Sequence, residues 1–488
     1  MNNLHIKHVN IVILILSATH LFFLAADPDS LVDIHTRGAW TDEGLYSIQA
    51  RNFIQQGSFG LTENTTMIRG PLYNLLQVPF FLIFGDTLQV ARLVTIFGVV
   101  AAFLLLTSQK KYLLLWATLF IIAFTQFHVY QFSHYAMPEI TAICMVLASL
   151  YYVLLFFEKG KKKYLMYASL MIFIAYGLKI QFVYLVALLP VVFFVLFLSK
   201  VFAGADGRRK SFYTFSVVTG YAFGFFVLYL LLWYLPNKSF YNLVMINESS
   251  DRFEAWGGIL ERINFNFRYY LLSPPLYPVL FMFVTGMLAL LILIVKKVKI
   301  PNQYTMVLLF ATVWVLLESH KLALIYLPQR YLLGLYVATS LLAAVLLVVI
   351  SHERKAVQTV LMFVLVIALA CNTVFNVRAF QRRTFDLKTV NSYMKRYNSD
   401  GKVIAGVWAP SLTWNTPAHV VPVWSTYFDK EAFFEKYQPM MIITEANEAE
   451  SEQAFGRFGI RLDSLADSSR MFSVWRYQLK INWLPHYQ

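Results

Sequence analysis

Apolar and polar residues follow one another along this chain in long blocks. A bilayer crossing needs about 20 mostly apolar residues. Runs that reach or approach this lie at 9–26, 88–107, 112–128, 137–157, 164–177, 180–199, 212–235, 271–295, 303–318, 330–350 and 356–376. They predict an α-helical polytopic membrane protein with about 11–13 transmembrane helices. Basic residues occupy every second short connection: Lys110 and Lys111; Lys159 and Lys161–Lys163; Lys200 and Arg208–Lys210; Lys296, Lys297 and Lys299; Arg354 and Lys355. The positive-inside rule assigns those connections to the cytoplasm. The amino terminus is then cytoplasmic, and everything after about Arg378 is extracytoplasmic.

Two segments of the first outer loop, 28–87, break this rhythm. Counting residues 71–87 as a span would invert every later loop, and Pro79 interrupts it. It predicts a helix lying in the outer interface. Residues 42–56 interleave Leu45, Ile48, Phe53 and Ile54 with Arg51, Asn52 and Gln55, the pattern of a second surface helix. A further polar outer loop covers 236–270. From about Phe385 the composition becomes that of a soluble domain. Residues 402–408, 419–424 and 440–444 read as strands, and 385–397, 429–437 and 448–457 as helices. This divides the chain into a transmembrane domain, 1–378, and a small extracytoplasmic α/β domain, 379–488.

Composition agrees: 58% of residues are hydrophobic and 14% charged, against about 25% charged in soluble domains. The net charge of +14 collects in the cytoplasmic loops and implies no nucleic-acid partner. The two cysteines, Cys144 and Cys371, lie in apolar runs and build neither a disulfide framework nor a thiolate metal cluster. No A-x-A site follows the first apolar run, which predicts a retained helix. The cytoplasmic loops are too short for a nucleotide-binding domain, and no GxGxxG or Walker pattern follows a strand.

The polar bulk on the outer side therefore holds the candidate chemistry. Asp42 and Glu43 are adjacent carboxylates where the chain leaves the first span. Thr41 could cap a helix beginning at Asp42, with both acids favoured by the helix dipole. Alternatively, Asp42 is a general base at a membrane-surface site. Arg69, Arg92, Glu139, Lys179, Lys321, Tyr326 and Arg330 sit at or near outer helix ends. Charge at membrane depth is costly and persists where it faces a cavity or a partner. Snorkelling is the structural alternative for Arg92 and Lys179, a helix N-terminal charge for Glu139, and an interfacial setting for His134. Together these residues predict a site for an anionic lipid headgroup. Cations would hold phosphate oxygens and a carboxylate would take the proton of an attacking hydroxyl.

Trp40-Thr41-Asp42-Glu43-Gly44-Leu45-Tyr46, then Arg69-Gly70-Pro71-Leu72-Tyr73 and Ala91-Arg92-Leu93, resemble the start of GT-C glycosyltransferases, in particular the protein O-mannosyltransferase and lipid A aminoarabinose transferase (ArnT-like) branch. Tyr135–Glu139, Leu178-Lys179 and Lys321–Pro328 resemble later landmarks, so the likeness covers about residues 1–350. It implies an inverting transferase using a polyprenyl-phosphate-linked sugar, with Asp42 as catalytic base and Arg69 as a cation near the donor phosphate. Two departures stand out. Arg69-Gly70-Pro71-Leu72 replaces the usual Lys-Pro-Pro-Leu turn. Ile68 stands where that branch has an acid, which leaves a divalent metal unsupported.

The resulting expectation is a multi-pass enzyme of the cell inner membrane. It would transfer a sugar from a polyprenyl-phosphate donor to a lipid, glycan or protein hydroxyl on the outer face. Asp42 is the catalytic residue, and Glu43, Arg69, Arg92, Glu139, Lys179, Lys321, Tyr326 and Arg330 bind substrate. The competing expectation is a transporter or flippase of lipid-linked sugars, which would show inverted repeats and discontinuous helices.

Overall fold

The computed structural model describes residues 3–32, 36–201, 205–242, 258–295, 300–351, 355–397, 399–414, 416–425 and 436–484. The basic loop at Lys296–Lys299, residues 243–257 of the 236–270 loop and most of the predicted helix 429–437 lie outside the described residues. Among the described residues, eight helices are long and apolar enough to cross a membrane, nine if a pair bent by 72° at residues 271–274 forms one span. This is a multi-pass membrane protein. Two predicted spans take other forms. The run 164–177 becomes a shorter apolar helix, Lys163–Leu178. The run 112–128 breaks into Leu113–Leu119, a π-helical turn at Phe120–Phe124 and Phe127–Phe132. Its side chains are almost wholly buried in the bundle, so tertiary packing replaces the length that a lipid-facing helix needs.

Both segments of the first loop are helical, as Ala39–Gln56 and Pro71–Phe84. The acidic helix starts three residues earlier than the capping argument placed it. Gly38 is its N-cap, at φ 48°, a conformation that glycine adopts without a Cβ penalty. Thr41 lies inside the helix and is buried.

The carboxy-terminal region forms one five-stranded sheet in the order β2-β1-β3-β5-β4, with β1 Val403–Ala405, β2 His419–Val421, β3 Met441–Glu445, β4 Ser469–Val474 and β5 Tyr477–Trp483. The three predicted strands pair in parallel. The β4–β5 hairpin adds antiparallel strands that were not predicted. Its turn, Trp475-Arg476, carries no Asn-Gly or Asp-Gly signal, yet Trp475 sits at φ 48°.

One sheet face packs Ile404, Val420, Ile443 and Leu479 against Trp40 and Ile48 of the acidic helix. That helix is therefore part of the sheet's core. Gly44 lies against the short helix Ala409–Leu412 that follows β1: a Cβ there would stand 2.4 Å from the Pro410 carbonyl carbon. Arg51 extends the contact, donating to the carbonyls of Pro410 at 2.9 Å and Thr413 at 2.5 Å, with its guanidinium over Trp414. Burial brings the Arg51 pKa down to about 10, still cationic at neutral pH.

A second clasp joins Glu63 to His419 Nε2 at 2.6 Å and to the Tyr437 hydroxyl at 2.7 Å. Burial works against the Glu63 carboxylate, but the hydrogen bonds from His419 and Tyr437 and the charge of Lys436 outweigh it and hold its pKa below the usual carboxylate range. A depressed folded-state pKa contributes stability above the unfolded-state value, about 4.3, that is lost as pH falls through the folded value. Thermal unfolding of the purified protein between neutral pH and pH 3 is thus expected to lose stability below about pH 4.3. Glu63→Gln should flatten part of that slope, and an unchanged slope would remove Glu63 from the acid response.

Candidate active site at the head of the acidic helix

Successive residues of an α-helix point about 100° apart, so the Ala39–Gln56 helix serves three neighbourhoods. Trp40 and Ile48 face the sheet, and Gly44 the short helix Ala409–Leu412. Glu43 and Ser47 face the helices behind: Glu43 meets Arg92, and Ser47 accepts from Gln77 at 3.0 Å. Asp42 and Tyr46, one turn apart, face a cluster of charges built from distant segments.

In that cluster Arg330 Nη2 lies 2.9 Å from Asp42 Oδ2, and its Nε lies 3.9 Å from Glu139 Oε1. Glu139 pairs with Lys179, whose ammonium also donates to the Tyr46 hydroxyl at 2.6 Å. The structure thus brings Asp42, Arg330, Glu139 and Lys179 into one network. Glu139 is fully buried, whereas the Asp42 side chain keeps 14% of its surface exposed. Asp42 is the acid at the rim. Tyr46 was not predicted; its place four residues after Asp42 was the available signal. Desolvation, with Glu139 and Asp42 nearby, raises the Tyr46 phenol well above its ordinary pKa. It stays protonated, and while Lys179 donates to its oxygen its own O–H remains a donor.

Local breaks position these groups. Glu139 follows Pro138 in the first turn of Pro138–Lys159, where the dipole favours an acid. Lys179 is the extended residue between Lys163–Leu178 and the 3-10 turn Ile180–Ala187. Gly70 lies against that break: a Cβ there would fall 2.1 Å from the Leu178 carbonyl oxygen and 3.1 Å from the Lys179 Cα. The departure Arg69-Gly70 therefore has a steric reason, since this crossing admits nothing larger than hydrogen. It sets the turn bearing Arg69 beside the cluster, with the Ile68 carbonyl held by Trp233 at 3.0 Å and Tyr241 at 2.5 Å. Gly70→Ala is expected to destabilise the protein by about 1–3 kcal/mol through forced backbone displacement. Thermal unfolding measures this, and a change below about 0.5 kcal/mol would mean that the crossing relaxes freely.

Other predicted residues have different settings. Arg92 is fully buried and does not snorkel. It grips Glu43 through two bonds, at 2.8 and 2.5 Å, and donates to the carbonyls of Phe23 and Ala26, each at 2.6 Å. Glu43 also accepts from the Ala136 N–H at 2.7 Å. Lys321 is closed by Glu318 at 2.7 Å and the Tyr331 carbonyl at 2.9 Å. Glu318, three residues before Lys321, was not predicted; it also accepts from Trp314 Nε1 at 3.1 Å. Tyr326 is exposed. His134 is buried rather than interfacial, stacked on Phe23 and hydrogen-bonded to His20 at 3.1 Å between their Nδ1 atoms. Among the described residues, no three His, Cys, Asp or Glu side chains converge as metal ligands do.

A bundle of apolar helices, two helices after the first span and a small terminal sheet make up an ArnT-like fold. Solved structures carry the same architecture. ArnT from Cupriavidus metallidurans bound to undecaprenyl phosphate is similar over 97% of this chain and 98% of its own, at 14% identity and TM-score 0.61. The apo state of that enzyme matches over 97% of both chains, at 13% identity and TM-score 0.57. An Archaeoglobus fulgidus oligosaccharyltransferase in complex with Zn and sulfate matches over 90% of this chain and 68% of its own, at 14% identity and TM-score 0.50. No protein-family model and no curated protein sequence matches.

Proposed function

We propose that the chain is an inverting glycosyltransferase that moves a sugar from a polyprenyl-phosphate donor to a hydroxyl of a lipid, glycan or protein acceptor at the outer face of the inner membrane. The observation that carries this reading is the rim position of Asp42, bridged by Arg330 to the Glu139–Lys179 pair. The likeness to an enzyme crystallised with undecaprenyl phosphate supports the donor class. The basic loops support the side: Glu139 and Lys159 occupy opposite ends of one 22-residue helix, and Lys159–Lys163 mark the cytoplasmic end.

In this mechanism Asp42 takes the proton of the acceptor hydroxyl as its oxygen bonds to the anomeric carbon. The bond from that carbon to the phosphate oxygen breaks on the opposite face, which inverts the configuration. Polyprenyl phosphate leaves as a stable anion, so cations serve the leaving group better than an acid does. Arg330 would share its guanidinium between Asp42 and the phosphate, with Lys179 and Arg69 beside it. Glu139 balances Lys179 and Arg330 inside the bundle. Glu43, Arg92 and Lys321, each closed by protein partners, hold the scaffold.

The test incubates purified protein with radiolabelled polyprenyl-phosphate sugar and a membrane extract, in detergent and in sealed vesicles. Label is expected to leave the polyprenyl phosphate for another molecule. Label that only changes leaflet, with no new product, would replace the transferase by a transporter.

A further inference from the structure

On the sheet side of the acidic helix, a cleft of about 380 Å³ opens where the first span ends and the last apolar helix meets the terminal sheet. Its lining includes Phe23, Ser30, Gln131, Arg382, Arg383 and Trp475. Trp475 stacks on Trp40 with ring centroids 5.6 Å apart, so the back wall is a tryptophan pair.

The donors and acceptors in this cleft are unequally used. Asp27 accepts from the Thr384 hydroxyl and the Asp386 N–H, both at 2.7 Å, and from the Leu387 N–H at 3.1 Å. Asp29 accepts from the Leu31 N–H at 2.8 Å and from Arg382 at 3.1 Å. Both acids are thus engaged by protein. The donors are not exhausted. Arg383 gives Nε to the Phe380 carbonyl at 2.8 Å and Nη1 to the Phe22 carbonyl at 2.5 Å, which leaves Nη2. Arg382 commits Nη2 to Asp29. The Gln131 amide nitrogen is fully buried, lines the cleft and has no hydrogen-bond partner. An orphaned buried donor is costly, so a ligand that accepts from it would recover that cost.

The donors left over, one guanidinium nitrogen of Arg383 and the Gln131 amide, suit an oxyanion with several acceptor oxygens. The surroundings specify its carrier. The cleft sits at the end of the first candidate span and of the helix Lys355–Gln381, beside Phe22 and Phe380, which are 61% and 39% exposed. We propose that this cleft is a second site that binds a phosphate monoester group, carried by a membrane amphiphile, with its oxygens on Arg383 and Gln131 and its apolar part along Phe22 and Phe380. Trp40 borders this cleft and Asp42 borders the charge network, two residues apart on one helix. A lipid bound here would stand next to the candidate active site without entering it.

Calorimetric titration of the full-length purified protein in neutral detergent tests this. Dihexanoyl phosphatidic acid is the lipid probe and inorganic phosphate the free one. Saturable binding of the lipid is expected. Arg383→Gln should weaken it at least tenfold, Gln131→Glu should do the same by placing an acid against the phosphate, and Arg330→Gln should leave it within twofold. Equal binding of inorganic phosphate, with the same variant pattern, would keep the phosphate site and overturn its lipid carrier. Binding lost in Arg330→Gln but kept in Arg383→Gln would place the lipid in the Asp42 network. That outcome overturns this cleft and leaves the transferase reading intact. Absence of binding by either probe, or unchanged affinity in folded Arg383→Gln and Gln131→Glu variants, would also overturn the site.

Discussion

Replacing Asp42 by asparagine is expected to lower sugar transfer by a factor of roughly 10²–10⁴, the usual contribution of a positioned base, while the protein remains folded. The amide is nearly isosteric, and the site tolerates the lost charge. Arg330, deprived of Asp42, still has Glu139 within 3.9 Å. The Arg330 side chain keeps 8% of its surface open to solvent and the Asp42 side chain 14%, so the substitution strands no fully buried partner. Initial rates with a polyprenyl-phosphate sugar, read beside a thermal unfolding curve, separate chemistry from folding. A folded variant retaining more than about a tenth of the activity would exclude Asp42 as the base.

The neighbouring carboxylate is expected to behave in the opposite way. Glu43→Gln should destabilise the protein by about 3–5 kcal/mol, because it leaves a buried guanidinium without its counter-charge. The Glu43 and Arg92 side chains are 3% and 0% exposed, joined by two hydrogen bonds. Arg92→Met should cost at least as much, since it also releases the Phe23 and Ala26 carbonyls at the end of the first helix. The double variant should cost clearly less than the sum of the two, the mark of residues that act as a pair. Strictly additive losses, or a Glu43→Gln variant with unchanged stability, would dissolve the pair as a structural element. Activity per folded molecule should fall far less in Glu43→Gln than in Asp42→Asn, and that contrast divides two adjacent acids into different tasks.

The likeness to solved enzymes is confined to architecture, at 13–14% identity. The chemistry therefore rests on side chains. The charge network gathers Asp42, Glu139, Lys179 and Arg330 from four separate segments. Sequence reasoning found all four because charge near a span end is expensive and needs a partner. It also nominated Arg92 and Lys321 by the same argument, and both have partners, Glu43 and Glu318, that close them off. The cost of burial identifies a charged residue as engaged, without saying whether by protein or by substrate. Tyr46 went unnoticed because an interfacial tyrosine is common. It becomes notable once Lys179 donates to it.

The fold divides along the same line. Long apolar runs, basic loops, the two helices of the first loop and three strands follow from hydrophobic period and charge, which act over a few neighbouring residues; that Ala39–Gln56 is buried against the sheet instead of lying on a surface does not. The β4–β5 hairpin escaped because its turn carries no glycine signal.

By itself, then, the sequence determined that this chain crosses the membrane many times and carries an acid pair where it leaves the first span. Tertiary structure alone decided which acid faces the network. Asp42 and Glu43 differ by one step of about 100° around a helix, and that step points one at Arg330 and the other at Arg92. No local pattern encodes the choice, because the partners arrive from chain positions 288 and 49 residues away.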